Sequence, residues 1–391
     1  MNGNAMEGAA GQLGGFAHPG WGSVADVFRD SLVDPTSSGA ALSVWHQGAE
    51  VVNLWNGTAD ERRQRPWTAS TLGVLFSATK GLAAILMMRL DESGRLDLEA
   101  PIRTLWPEFD AHNKGDVAVA DVLAHRAGVS APVDDLTLAD VLDAPGWAGR
   151  IAAQKPLWSP GSAHAYHALT WGAIVHELVL RATGREFHEL FEEEIAAPLD
   201  ADVTLRAGQA EIDRVAHLTT TPAWDVSTAP DAEGAHTMLT RALSLGGAFP
   251  SGLVHGEEGF NDPRVLRAGL LAAGGLGTAS ALARIWSATI CSTQGVRLLT
   301  DDSVARLTVP RSEGPWAFAS APPYHRWGAG VQLSSEVAPW LSPGSFGHDG
   351  AGGQLGIADP GSGVAIGYVR NRMDVVDATA PIVAAIKRVV E

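Results

Sequence analysis

The reading of this chain turns on one stretch, Leu72-Gly-Val-Leu-Phe76-Ser77-Ala-Thr-Lys80-Gly-Leu-Ala-Ala-Ile-Leu-Met-Met88. An apolar run leads into Ser77. A strongly apolar helix is predicted from there to Leu90, ended by Asp91-Glu-Ser-Gly94. Ser77, Lys80 and Arg89 make the stretch too polar to span a membrane. Residues i and i+3 share a helix face, so the Lys80 amine can reach the Ser77 hydroxyl. A lysine inside so apolar a helix is costly to bury charged, which lowers its pKa and makes it a base. The helix N-terminus favours negative charge at Ser77. Together these describe a serine nucleophile activated without histidine. A helix-capping Ser and a snorkelling Lys would give the same letters. With 25 Ser and four Lys, chance supplies roughly 0.26 such spacings per chain, so the motif needs company.

Two further constellations supply it. Trp158-Ser-Pro-Gly161-Ser-Ala-His-Ala-Tyr166 places a tyrosine after a Pro-Gly turn and just before a helix predicted over 168–182. A phenol there could pass protons between a serine and a leaving group; a half-buried packing tyrosine is the plainer alternative. Gly347-His348-Asp349-Gly350-Ala351-Gly-Gly353 lies between two strand-like runs. Its small residues let a substrate approach an edge strand, and a backbone N–H there could complete an oxyanion hole with that of Ser77. A glycine-rich hairpin without a role is the alternative.

Composition narrows the function. The 391 residues include 44 acidic and 28 basic ones, a net charge of −16. That argues against nucleic-acid and anionic-membrane partners. Only four residues are Lys and three are Tyr, against 24 Arg and 13 Trp, so Lys80 and Tyr166 come from very small sets. Cys291 is alone, which excludes an intrachain disulfide and a cysteine-clustered zinc site. Met1 to Gly8 lacks the basic and apolar regions of a signal peptide, so a cytoplasmic protein is expected. A homo-oligomer is left open. The α/β-hydrolase Gly-x-Ser-x-Gly elbow, His-Glu-x-x-His and the Walker A motif are all absent.

Sheet material falls at both ends of the chain and helices in the middle. A helix is expected over 22–32, a hairpin around Gln47-Gly48-Ala49, and strands over 327–333, 345–349, 354–358 and 364–370. A closing amphipathic helix is expected over 381–390. The expected organisation is a loose arm over 1–20, an α/β sheet domain from 21–110 and 236–391, and a helical domain over 111–235.

In this order the three constellations resemble the serine β-lactamase and penicillin-binding-protein superfamily, and within it the class C β-lactamase-like carboxylesterases of family VIII. Asp121-Val-Leu-Ala-His125-Arg-Ala-Gly128, Gly274-Gly-Leu-Gly-Thr-Ala and Gly367-Tyr-Val-Arg-Asn-Arg-Met373 resemble further landmarks, so the similarity covers about residues 20–391. The resemblance implies an antiparallel sheet flanked by helices with an inserted helical lobe. It implies Ser77 as acylated nucleophile, Lys80 as base, Tyr166 as proton carrier, and Ser77 with Ala351 as oxyanion donors. His348, Asp349 and Gly350 take the place of the substrate-binding Lys-Thr-Gly, and no metal or organic cofactor is implied. The chain departs from the family at Ala168, where the Asn of Tyr-x-Asn would stand, and at His348, where the Lys would stand. Both favour hydrolysis of small esters over β-lactam or peptidoglycan chemistry. A β-lactamase, D,D-peptidase, amide hydrolase or acyltransferase remains the alternative within the fold, and a non-catalytic sensor module the alternative outside it.

Overall fold

The computed structural model describes residues 13–228, 235–318 and 320–391. The expected hairpin forms from β2 (Gly39–His46) and β3 (Ala49–Asp60). Gln47 and Gly48 both have positive φ, 53° and 79°, the conformation whose twist suits a two-residue hairpin loop. The far side of β3 pairs with β1 (Gly14–Ala17). The expected loose arm is therefore strand over those residues, because the outer edge of β3 would otherwise leave its backbone groups unpaired. Residues 1–12 of that arm lie outside the described residues.

At the other end of the chain come β4 (Arg326–Trp327), β5 (Gln332–Leu333), β6 (Phe346–Gly350), β7 (Gln354–Asp359) and β8 (Val364–Arg370). The run 327–333, expected as one strand, is two short ones. Gly330 at φ 85° and the Gly328 N–H on Val331 O reverse the chain between them. The main sheet runs β1-β3-β2-β8-β7-β6-β5-β4, with Arg65–Pro66 attached to β3. Every neighbouring pair is antiparallel, and β8 on β2 joins the two ends of the chain.

One face of the sheet carries α1 (Gly22–Ser31) and the closing α6 (Thr379–Val390). Their Val24, Phe28, Ile382 and Ile386 share a core with Leu355, Ile357, Ile366 and Tyr368. The other face carries α2 (Ala78–Glu92) and α5 (Ala279–Ile290). Helix α5 lies so close that a Cβ on Gly367 would collide with the Ala279 carbonyl. Helix α2 is buried nearly all round, which is why its sequence is apolar without an obvious stripe. Helices α3 (Thr170–Thr183) and α4 (Ala235–Ser244) belong to the mostly helical middle of the chain. A small antiparallel sheet of Gly73–Val74, Leu276–Gly277 and Val203–Thr204 anchors the run that enters α2.

Candidate active site

Ser77 stands at the N-cap position of α2, at the end of that anchored run, and its side chain makes no capping hydrogen bond. Leu75 N–H donates to Gly275 O at 2.8 Å, and Ala78 N–H donates back to Leu75 O at 3.1 Å. Between them Phe76 takes φ 44°, a left-handed conformation that is costly for a bulky L-residue. Its buried ring sits edge-on to Phe260 at 5.1 Å, and this packing holds the turn that presents Ser77.

Lys80 is fully buried one turn into the helix. Its Nζ lies 3.2 Å from Ser77 Oγ and 2.8 Å from both Ala168 O and Ala272 O. Burial pushes its pKa well below the ordinary lysine value, against a smaller opposing pull from Asp349. A neutral amine has two hydrogens and one lone pair. The two carbonyls take the hydrogens, so the lone pair is left for the Ser77 hydroxyl proton.

Tyr166 Oη donates to Ser77 Oγ at 2.7 Å. Burial pushes the phenol pKa up, only partly offset by that hydrogen bond, so Tyr166 carries its proton at neutral pH. His125 holds its backbone on both sides: Ala165 N–H donates to His125 O at 3.2 Å and His167 N–H to His125 Nδ1 at 3.3 Å. The His125 ring meets the Tyr166 ring edge-on at 4.8 Å, and Trp327 stacks on Tyr166 at 5.3 Å. The Lys80 Nζ lies 5.0 Å from the centre of the Tyr166 ring.

The β6 residues fall into place differently. A Cβ on Gly350 would collide with Leu75 O, so the strand end rests directly against the turn that presents Ser77. Ala351 follows in the turn, which Arg370 braces through Gly352 O. Among the described residues, neither the Ser77 nor the Ala351 N–H donates within the chain. His348 is fully buried, beside Trp327 at 5.5 Å. Its Nδ1 donates to Asp349 O at 2.6 Å, which leaves Nε2 as an acceptor without a partner among the described residues. Burial holds its pKa well below the histidine range. Asp349 accepts from Gln332 Nε2 at 2.8 Å, and burial pushes its carboxyl up.

Ser77, Lys80 and Tyr166 thus meet at one point, with Gly350 and Ala351 at its edge. The His348 ring lies beneath, out of solvent, and the Asp349 side chain is engaged with Gln332. The sequence did not single out Trp327, Gln332 or the Ala168 and Ala272 carbonyls, because main-chain groups and one Trp among 13 leave no pattern to read. His125 was visible only as part of a family-like segment. Among the described residues no cluster of His, Cys, Asp and Glu is arranged to hold a metal ion. No helix among them is long and apolar enough to cross a membrane.

The beta-lactamase family model matches residues 24–387. The esterase/beta-lactamase LipL of Mycobacterium tuberculosis (strain ATCC 25618 / H37Rv) is 34% identical over 375 residues, covering 92% of this chain and 83% of that one. A crystal structure of a family VIII carboxylesterase superposes with a TM-score of 0.85 at 29% identity, covering 97% of this chain and 100% of the other. A penicillin-binding-protein homologue from Caulobacter crescentus superposes at 0.83 with 30% identity, covering 96% and 98%. With the match running almost from end to end, the chain belongs to the beta-lactamase family.

Proposed function

We propose that the chain is a serine carboxylesterase that cleaves small, uncharged esters through an acyl-enzyme on Ser77. One observation carries this reading: Ser77 Oγ lies 2.7 Å from a protonated phenol and 3.2 Å from a lysine whose two other contacts are carbonyls. Lys80 takes the Ser77 proton as Oγ attacks the ester carbonyl. The N–H groups of Ser77 and Ala351 receive the oxyanion, each worth about 3 kcal/mol in such sites. Tyr166 protonates the departing alkoxide and is reprotonated from Lys80. Water then attacks the acyl-enzyme by the same route in reverse and frees Ser77. His348, buried and neutral, supports the Tyr166–Trp327 stack and leaves the site without the cation that a carboxylate-bearing β-lactam would meet.

The test is Ser77→Ala. The parent should hydrolyse p-nitrophenyl acetate and take a fluorophosphonate label on Ser77; the variant, still folded, should do neither. Full activity in a folded S77A protein would refute the reading. Nitrocefin, run alongside, decides the β-lactamase alternative suggested by the name of one relative, the esterase/beta-lactamase LipL. A cytoplasmic place for the chain, with Cys291 free, belongs to the same proposal.

A further inference from the structure

A cavity of about 220 Å³ opens beside Tyr166. Its walls come from Met238, Leu239 and Ala242 of α4 and from Trp316 and Phe318. No charged side chain lines it among the described residues, and Ser130 and Ser320 are polar points in an otherwise apolar surface. The wall is built rather than loose. Ala317 N–H donates to His164 O at 2.7 Å, Trp316 N–H to Ser320 Oγ at 3.1 Å, and the Phe318 ring stands edge-on to Trp158 at 5.6 Å.

The cavity touches one side of the reaction only. Tyr166 lines it; Ser77 and Ala351 do not. In acylation the bond from Ser77 Oγ to the carbonyl carbon forms and the bond from that carbon to the alkoxy oxygen breaks. The Ser77 proton departs on the alcohol, through Lys80 and Tyr166. The oxygen that receives it must lie near the Tyr166 hydroxyl, and the apolar space that borders Tyr166 is this cavity.

We infer that the leaving alcohol is the bulky, apolar half of the substrate and that this cavity selects it, an inference that rests on the esterase reading above. A dry cavity of about 150 Å³ already admits a benzene ring, so this one suits an arylalkyl or branched alcohol of roughly six to ten carbons. Charged alcohols are disfavoured, because no charged side chain among the described residues lines the cavity to pair with them.

Two ester series test it. In one, acetates carry ethyl, butyl, hexyl and 2-phenylethyl alcohols; in the other, ethyl esters carry acids of matching size. The parameter is kcat/KM, which reports acylation. It should rise about threefold per methylene along the alcohol series, and less than threefold in all along the acid series. Ala242→Phe fills the cavity and should lower the ratio of kcat/KM for 2-phenylethyl acetate over ethyl acetate at least tenfold. A gain carried by the acid series, or an unchanged ratio in folded A242F, overturns the inference while leaving Ser77 catalysis standing. Absence of any ester turnover, together with no fluorophosphonate label on Ser77, overturns the esterase reading and this inference with it.

Discussion

Replacing Gly350 by alanine asks how closely the sheet edge must approach the nucleophile. The new Cβ would fall under 3.0 Å from Leu75 O and within 2.9 Å of Gln354 Cβ. Comfortable contact begins near ~3.5 Å, so something must move by roughly 1 Å. Leu75 cannot yield easily. Its carbonyl accepts from Ala78 N–H in the first turn of α2, and its N–H donates to Gly275 O. The turn at 350–353 therefore retreats, carrying the Ala351 N–H with it. A donor moved from about 2.9 to about 3.9 Å no longer makes a hydrogen bond. Losing one oxyanion donor costs about 3 kcal/mol, or on the order of a hundredfold in kcat. Overpacking adds about 1–3 kcal/mol of lost stability. Steady-state hydrolysis of p-nitrophenyl acetate, read beside a thermal melt, measures both effects. The expected result is a folded protein with about 1% of the parent rate. A folded G350A variant within threefold of the parent would show that this contact does not set the donor, and the oxyanion assignment to Ala351 would go with it.

Tyr166→Phe removes a hydroxyl bonded to Ser77 alone among the described residues, so kcat/KM should fall about 10²- to 10⁴-fold with little change in melting temperature; near-parent turnover would remove Tyr166 from the mechanism. Acid should unfold the protein early. Burial holds His125 and His348 well below the histidine range and His167 down to about 3. The unfolded chain takes up these protons near pH 6.5 and the folded one does not, so this stability is present above that pH and lost below it. At pH 5 the loss is about 2 kcal/mol per histidine, with Asp349, whose carboxyl is pushed up, working the other way. Urea midpoints that stay level from pH 7 to pH 5 would contradict it. Asn371→Ala should cost about 3 kcal/mol in urea unfolding, because its buried amide accepts from Gly39 N–H and donates to carbonyls of Thr58, Ala59 and His217.

The parts of this molecule legible in the sequence are those where a side chain breaks a local pattern. Lys80 stands out because α2 is buried almost all round and so apolar throughout. The hairpin around Gln47-Gly48-Ala49 is legible because alternation and a short glycine-containing turn are both local signals, and the structure narrows its loop to Gln47 and Gly48. Strand β1 leaves no local signal, because Gly14–Ala17 has no alternation of its own and is a strand only against β3. The run 327–333 was misjudged because one left-handed glycine divides it. Inside the site the boundary falls in the same place. Ser77, Lys80 and Tyr166 are read from side-chain chemistry and spacing. The two carbonyls that hold the Lys80 amine, and on which its proposed role as a base rests, come from residues 88 and 192 positions further along the chain.

Ala168 sharpens the point. As a side chain it is a loss, standing where the family carries an asparagine. As a backbone group it does what the mechanism needs, taking one of the Lys80 hydrogens at 2.8 Å. Its side chain can therefore change without disturbing the base, while the carbonyl cannot move. The same division applies to His125, whose carbonyl and ring nitrogen fix the residues on either side of Tyr166. In the proposed mechanism the side chains of Ser77, Lys80 and Tyr166 are held in place by main-chain geometry set by the whole fold. On the proposed mechanism, that separation accounts for a site whose Ser77, Lys80 and Tyr166 follow the family while Ala168 and His348, both buried, do not.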